Sequence, residues 1–257
     1  MLSKNKIKLI RSLDLKKNRR ATGLFIAEGE KLVMDLIQSR IEISDVICVE
    51  GLATEIISFN SPFHVEIATT SELERISFLK SPSNIVAVCK IPEAIIDWGE
   101  IQNELTLVLD EIQDPGNLGT IVRVADWFGI RTIICSENCA DLYNPKVVQS
   151  TMGALSRVNV SYLPLVEFLT QAKQLNIPVY GAYLEGENLY NSELTVNGLL
   201  VVGNEGNGIS ASIAPFISRK LNIPSYPAGA ITSESLNVAS ATSIIVAEFR
   251  SRIFSNK

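Results

Sequence analysis

After residue 105 the sequence alternates regularly between short apolar segments and segments with a helical pattern. The predicted strands cover residues 106–109, 132–135, 157–160, 178–183, 199–202 and 221–223. Helices are predicted between them and at the end, over residues 145–152, 166–175 and 235–254. Short apolar strands separated by helices form a mostly parallel sheet that is covered on both faces. We therefore predict an α/β fold for this region.

The earlier part of the chain carries a shorter alternation of the same kind. A helix is predicted over residues 31–37, and strands over 45–49 and 84–89. Another helix should begin near Thr70, with Ser71 as its cap and Glu74 completing a capping box. The polar segment 91–104 has an early proline and is typical of a linker. We predict a small α/β domain over residues 1–97 and a second domain over residues 98–257.

The composition excludes several classes of protein. Of 257 residues, 46% are hydrophobic and 20% are charged, which is enough to build a core. An uninterrupted apolar run of about 18 residues, as a membrane span needs, does not occur. The N-terminus lacks the apolar region of a signal peptide, so we expect a cytoplasmic protein without membrane contact. Four cysteines and one histidine form no zinc-binding pattern; we expect packing thiols and no metal site.

Charge is distributed unevenly along the chain. The net charge is −5, but residues 1–20 carry +7, which leaves −12 for the remainder. Such segregation is typical of a basic arm that contacts phosphates, although a solubilising terminus has the same pattern. The candidate phosphate-contacting residues of this arm are Lys4, Lys6, Lys8, Arg11, Lys16, Lys17, Arg19 and Arg20.

Three loops follow predicted strands, where open α/β sheets bind their ligands. In the first, DPGNLGTIVR (114–123), Asn117 is positioned to cap the next helix. Arg123 lies on that helix in one stripe with Thr120 and Asp126, and an Arg123–Asp126 ion pair would be the plain structural explanation for it.

The other two loops are rich in glycine and small polar residues. The second, GNEGNG (203–208), lacks the order of a dinucleotide or phosphate loop, and Glu205 would repel a phosphate. It is better suited to a positively charged ligand held by backbone groups, although a glycine-rich turn needs no ligand. In the third loop, Ser235 and Asn237 are both candidate helix caps. The small residues 239–242 that follow would allow close approach of a ligand or backbone.

Together, NLGTIVR (117–123), GNEGNGIS (203–210) and the I-P…S-L-N-V residues of 223–238 resemble the SpoU–TrmH family of RNA 2′-O-ribose methyltransferases, within the SPOUT superfamily. FIAEGEKLVMDLI (25–37) resembles the family's accessory RNA-binding α/β domain. The resemblance implies a trefoil-knotted parallel-sheet SPOUT domain, S-adenosylmethionine (AdoMet) as methyl donor, and a homodimer that binds RNA. Ribosomal RNA is favoured over transfer RNA as the substrate.

The resemblance also assigns roles to individual residues. The catalytic residues it implies are Arg123, Asn117, Glu205, Ser235 and Asn237. The cofactor-binding residues are Val202, Gly203, Asn204, Gly208, Ile223, Ser225 and Leu236. Because a guanidinium with a pKa above about 12 is a poor base, we favour Arg123 as a cation that stabilises developing alkoxide.

The sequence departs from the family at the third loop. Residues 225–234 form a longer connection than usual, with Pro227 and Gly229 as additional turn formers. This difference could change the rim of the cofactor pocket. A tRNA ribose methyltransferase and a catalytically silent, knotted RNA-binding dimer remain the alternatives. Methylation of a base is disfavoured by the N-x-G-x-x-x-R motif.

Overall fold

The computed structural model describes residues 1–59, 62–227 and 233–255. The strands are β1 (Leu24–Glu28), β2 (Ile43–Cys48), β3 (His64–Ile67), β4 (Ile85–Lys90), β5 (Leu105–Leu109), β6 (Thr132–Cys135), β7 (Asn159–Tyr162), β8 (Val179–Asn188), β9 (Gly198–Val202) and β10 (Arg219–Asn222). The α-helices are α1 (Lys4–Ser12), α2 (Lys16–Thr22), α3 (Glu30–Ile37), α4 (Glu50–Ser58), α5 (Thr70–Ile76), α6 (Trp98–Asn103), α7 (Pro115–Trp127), α8 (Pro145–Thr151), α9 (Leu165–Gln174) and α10 (Val238–Ser255).

The chain divides into two compact units. The N-terminal unit comprises Met1–Glu93 and Asp141–Arg157, and the C-terminal unit comprises Ala94–Ala140 and Val158–Lys257. This division differs from the predicted ranges, because the segment 141–157 joins the first unit. Asp141 forms an ion pair of 2.6 Å with Arg19, and Tyr143 packs on Phe25 with ring centroids 4.8 Å apart. Such long-range contacts leave no periodic signal in the sequence.

In the part of the chain that the structure describes, the N-terminal unit holds a four-stranded sheet in the order β1-β4-β2-β3. Strand β4 is antiparallel to both of its neighbours, while β2 and β3 are parallel. The predicted helix at 31–37 and both predicted strands are present. The predicted cap of α5 is wrong: Thr69 and Glu72, not Ser71 and Glu74, form the capping box. In both pairs the two residues are three positions apart, so the spacing alone does not distinguish them; the helix uses Thr69 as its cap.

The basic N-terminus, which the charge pattern predicts to contact phosphates, forms α1 and α2. Lys6, Arg11 and Arg19 bind the protein itself. Lys6 pairs with Asp45 at 2.9 Å and with Glu66 at 2.7 Å. Arg11 donates to the Ser77 carbonyl and stacks over a phenyl ring. Arg19 is only 2% exposed and donates to two carbonyls besides its carboxylate partner. Lys4, Lys8, Lys17 and Arg20 are exposed and Lys16 is half-buried.

The C-terminal unit, in its described residues, contains a six-stranded, fully parallel sheet in the order β10-β8-β9-β5-β6-β7. Helices α6 and α9 contribute to the apolar core on one face through Ile101 and Phe168. Helix α10 packs beside α7 and places Phe249 edge-on against Tyr180 of β8. The predicted parallel α/β sheet is therefore confirmed, and all its strand carboxyl ends share one edge.

Several predicted boundaries in this unit need correction. The expected linker contains α6, which Asp97 caps through two backbone N–H groups. Strand β7 lies two residues later than predicted, and α10 begins at Val238 rather than Ser235. Element ends depend on caps and register, which hydrophobic periodicity alone does not resolve. Within the described residues, none of the helices combines the length and the hydropathy required to cross a bilayer.

Candidate active site

Three side chains from the three predicted motifs meet at the carboxyl edge of the parallel sheet. Asn117 of α7 donates from Nδ2 to Glu205 Oε1 at 2.6 Å. Asn237 donates from its own Nδ2 to Asn117 Oδ1 at 2.8 Å. We call Glu205, Asn117 and Asn237 the polar triad. It joins residues that are far apart in sequence into one chain of directional hydrogen bonds.

The direction of these bonds is set by the start of a helix. Asn237 Oδ1 accepts from the backbone N–H groups of Ala239 and Ser240, so Asn237 is the cap of α10. Its amide nitrogen must therefore donate, and it finds the oxygen of Asn117. The nitrogen of Asn117 is left facing an acceptor, the carboxylate of Glu205. An asparagine has one donor end and one acceptor end, so each bond orients the next.

Asn117 does not cap α7, contrary to the prediction. Asp114 is the cap, and its Oδ1 accepts from the Asn117 N–H at 2.8 Å. Pro115 occupies the first helical turn, where a missing N–H has no consequence. The Asp-Pro pair was a signal for a helix start three residues earlier. Since Asn117 is not needed as a cap, its side chain can take part in the triad.

The glycine-rich loop is closed on itself. Asn204 and Gly208 exchange two backbone hydrogen bonds, and a Cβ at Gly203 would overlap the backbone of Gly208. The Asn204 side chain accepts from the N–H groups of Gly206 and Asn207, so it shapes the loop from within. These contacts hold Glu205 at the tip of a rigid turn.

Two acidic residues that sequence reasoning missed fasten this loop to the start of the first motif. Asp110, only 3% exposed, follows β5 directly and accepts from the Ser210 N–H at 2.7 Å. The carbonyl of the next residue, Glu111, accepts from Asn204 Nδ2 at 2.9 Å. A carboxylate placed directly at the end of a buried strand was the available signal for Asp110.

Arg123 and Ser235 lie apart from the polar triad. Arg123 is on the exposed face of α7 that also carries Thr120 and Trp127, the latter 84% exposed. It is six residues beyond Asn117, which corresponds to about 9 Å of rise and roughly 120° around the helix. Ser235 is exposed in the loop before α10. The structure thus brings together three of the five predicted catalytic residues.

The same edge has features that fit AdoMet, which contains an adenine ring, a ribose and an amino-acid group. Apolar side chains that could cover a ring are exposed there: Leu236 of the third motif is 49% exposed, and Leu184 of β8, whose carbonyl accepts from Asn222 at the end of β10, is 68% exposed. The hydroxyl of Tyr183 is buried without a partner among the described residues. Burial and the neighbouring Asp110 raise the pKa of Tyr183, so this hydroxyl remains a donor at neutral pH.

The predicted cofactor-binding residues lie at the carboxyl end of β9, in the loop after it, and in the segment between β10 and α10. Val202 ends β9, and Gly203, Asn204 and Gly208 form the loop that follows. Ile223 and Ser225 follow β10 and Leu236 precedes α10, with Ser225 and Leu236 exposed. Of the longer connection 225–234, the structure describes residues 225–227 and 233–234, while Gly229 lies outside the described residues.

A thiol next to this edge has an altered acidity. The Cys139 sulfur accepts from the Ile112 N–H at 3.2 Å and lies 3.4 Å from Ser136 Oγ. Hydrogen bonding from Cys135 first, opposed by burial and assisted by Ser136 and Ile112, lowers the pKa of Cys139 to about 7. Cys135 and Cys139 are both buried free thiols.

Comparison with known proteins identifies this arrangement. Residues 104–247 match the model of the SpoU rRNA Methylase family, and residues 4–87 match an MRM3-like substrate binding domain. The chain is 30% identical to the 23S rRNA (guanosine(2553)-2′-O)-methyltransferase of Bacillus subtilis over 247 residues, covering 95% of this chain and 96% of that protein.

Solved structures agree over nearly the whole length. A TrmH-family protein from Porphyromonas gingivalis superposes with a TM-score of 0.87 at 38% identity, covering 98% of this chain and 99% of that one. An AdoMet-bound rRNA methyltransferase from Sinorhizobium meliloti gives a TM-score of 0.87 at 26% identity, covering 98% and 97%. The similarity therefore includes both units of the chain.

Proposed function

Because the chain belongs to the SpoU rRNA methylase family, we propose that it transfers a methyl group from AdoMet to a ribose 2′-hydroxyl of ribosomal RNA. The observation that carries this proposal is the polar triad, which joins all three family motifs at the ligand-binding edge of the sheet. Ribosomal RNA is favoured over transfer RNA because the full-length relative from Bacillus subtilis is named for 23S rRNA.

The chemistry requires an oxygen nucleophile aligned with an electrophilic carbon. AdoMet, when bound, supplies a methyl group on a positively charged sulfur. Transfer would form the new C–O bond at the ribose oxygen and break the sulfur–methyl bond, so that the sulfur would leave as a neutral thioether. The proton of the ribose hydroxyl would be released to solvent water. Glu205 has a second carboxylate oxygen that can accept a hydrogen bond from that hydroxyl, while Asn117 holds the first oxygen in place. A fixed acceptor of this kind orients a lone pair of the hydroxyl oxygen toward the methyl carbon.

Arg123 provides the positive charge, acting in a homodimer. Within one chain it lies about 9 Å along α7 from Asn117 and on a different side of the helix. Its face is exposed, and it includes the apolar Trp127. We therefore assign Arg123 to the active site of the partner subunit, where its guanidinium would stabilise negative charge on the ribose oxygen.

RNA would be held by exposed cations of the N-terminal unit, namely Lys4, Lys8, Lys17 and Arg20. The match of residues 4–87 to a substrate binding domain supports this role. The trefoil knot and a cytoplasmic location belong to the same proposal, on the basis of the fold similarity and the ribosomal substrate.

The direct experiment uses purified protein, radiolabelled AdoMet and either a 23S rRNA transcript or a tRNA pool, followed by nucleoside mapping. We expect a labelled 2′-O-methyl nucleoside in the 23S rRNA. Labelled tRNA alone would favour the tRNA alternative, and a label on a base would overturn the assignment of ribose chemistry. A protein that binds RNA but shows no calorimetric binding of AdoMet would be the silent dimer.

A further inference from the structure

Glu111 has an unusual backbone conformation at the junction of the first two motifs. It lies between β5 and α7, and its φ is 57°, in the left-handed region that residues other than glycine rarely adopt. Such a conformation persists where surrounding contacts enforce it, and it is concentrated at functional sites. The contacts of Glu111 therefore indicate what this conformation is used for.

Each polar group of Glu111 has its own partner, and the three partners come from two other segments of the C-terminal unit. Its N–H donates to Ser136 Oγ at 2.9 Å, and its carboxylate accepts from Asn138 Nδ2 at 2.9 Å. Its carbonyl accepts from Asn204 Nδ2 at 2.9 Å. Ser136 and Asn138 belong to the turn after β6, whereas Asn204 belongs to the glycine-rich loop. Glu111 thus connects three loops that follow adjacent strands.

The connection continues to the polar triad on both sides. Asn204 shapes the turn that carries Glu205 through the N–H groups of Gly206 and Asn207. In the other direction, Glu111 precedes by three residues the cap of α7, Asp114, which binds Asn117. A displacement of Glu111 would move Asn117 and Glu205 relative to each other. Their bond of 2.6 Å leaves little tolerance for that displacement.

We infer that Glu111 is a positioning residue for methyl transfer. It holds the first two motifs in register by means of the turn Ser136–Asn138, a segment outside all three motifs. This inference rests on the proposed function, because the rate it affects is that of the proposed reaction. Misplacement of reacting groups by about 1 Å can reduce an enzymatic rate by about a hundredfold.

Three variants separate positioning from general stability. Glu111→Gln keeps an oxygen acceptor for Asn138 and should retain near-normal activity. Glu111→Ala removes that anchor, and we expect the single-turnover rate at saturating AdoMet and 23S rRNA to fall about tenfold to a hundredfold. Glu111→Gly removes the same anchor, but glycine adopts the left-handed backbone conformation without strain. Its thermal midpoint should therefore be no lower than that of Glu111→Ala, while its methyl-transfer rate should be no higher. Glu137→Ala, an exposed neighbour in the same turn, is the matched control.

A second readout does not depend on the RNA substrate. Amide hydrogen exchange, followed by mass spectrometry, should be faster in residues 203–210 of Glu111→Ala than in the wild type or Glu137→Ala. Unchanged exchange in this loop, or a Glu111→Ala rate within about twofold of wild type, would overturn the inference. If the wild type itself transfers no methyl group, the proposed function fails, and the exchange measurement alone decides the role of Glu111.

Discussion

The Asn237 side chain links the first turns of α10 and α7, since it caps one helix with its oxygen and donates to Asn117 with its nitrogen. The two asparagines are 120 residues apart. One side chain therefore performs a structural and a functional task, and the two tasks use different atoms. This separation allows them to be tested independently.

Replacement of Asn237 by aspartate should separate the two tasks. Asp is as good a helix cap as Asn, but it has no donor for Asn117 Oδ1. We expect Asn237→Asp to lower the methyl-transfer rate about a hundredfold, with a thermal midpoint within a few degrees of wild type. Asn237→Ala should lose the cap as well and be destabilised by about 1 kcal/mol. A rate for Asn237→Asp equal to that of the control Ser240→Ala would contradict the role of the triad.

Subunit mixing tests whether Arg123 acts in the partner's active site. Arg123→Ala and Glu205→Gln should each be inactive as homodimers. Mixed by denaturation and refolding, equal amounts should recover about a quarter of wild-type activity, because half of the dimers contain one complete site. If Arg123 serves its own chain, the mixture stays inactive. Arg123→Lys should remain slow, since a lysine lacks the planar fork of donors.

The exposed cations of the N-terminal unit should determine the salt dependence of RNA binding. With Lys4, Lys8, Lys17 and Arg20 all changed to alanine, we expect weaker binding. The slope of log K against log salt should become shallower by roughly 3, at about 0.7 for each lost phosphate contact. Fluorescence anisotropy of a labelled rRNA fragment measures both quantities. Lys173→Ala, an exposed lysine of α9, should leave the slope unchanged, and an unchanged slope in the quadruple variant would exclude these contacts.

Ionisation of Cys139 should make the fold more stable as pH rises. Its pKa is lowered to about 7 in the folded state from 9.0, so the folded protein binds fewer protons than the unfolded chain between these values. The free energy of unfolding should therefore increase from pH 7 to 8.5, by an amount that approaches about 2–3 kcal/mol for complete ionisation. The contribution is lost as the pH falls through 7.

Urea unfolding of wild type and Cys139→Ala at several pH values measures this effect. The increase should be absent from the variant, and the two proteins should differ less at pH 6 than at pH 8.5. If the free energies of unfolding of the two proteins changed in parallel with pH over this range, the Cys139 thiol would have its ordinary acidity. Reducing agent must be present throughout, because Cys135 lies close enough to hydrogen-bond to Cys139.

The parallel sheet and the three motif loops could be predicted because short apolar strands and glycine-rich turns are local signals. Family membership and the methyltransferase function followed from those motifs and are confirmed by the family model over residues 104–247. The role of Glu111 could not be predicted. A glutamate carries no local sign of a positive φ, and its partners Ser136 and Asn204 are brought to it only by the sheet order.

The basic terminus shows a different limit of sequence reasoning. Charge density is visible in the sequence, but the partner of each charge is not. Arg19 looks like its neighbour Arg20, yet Arg19 is buried against Asp141 while Arg20 is exposed. Only the positions of the distant acidic residues distinguish a structural cation from one available to phosphate.

The ion pair between Arg19 and Asp141 has a practical consequence for dissecting this protein. A truncation after residue 97 would remove α8 and leave a guanidinium that is 2% exposed without its carboxylate, which costs about 3–5 kcal/mol for a buried pair. The complementary fragment would retain residues 141–157 with nothing to pack against from their own unit. Neither half is thus a transplantable module, and a chimera between relatives would have to exchange both stretches of the N-terminal unit at once.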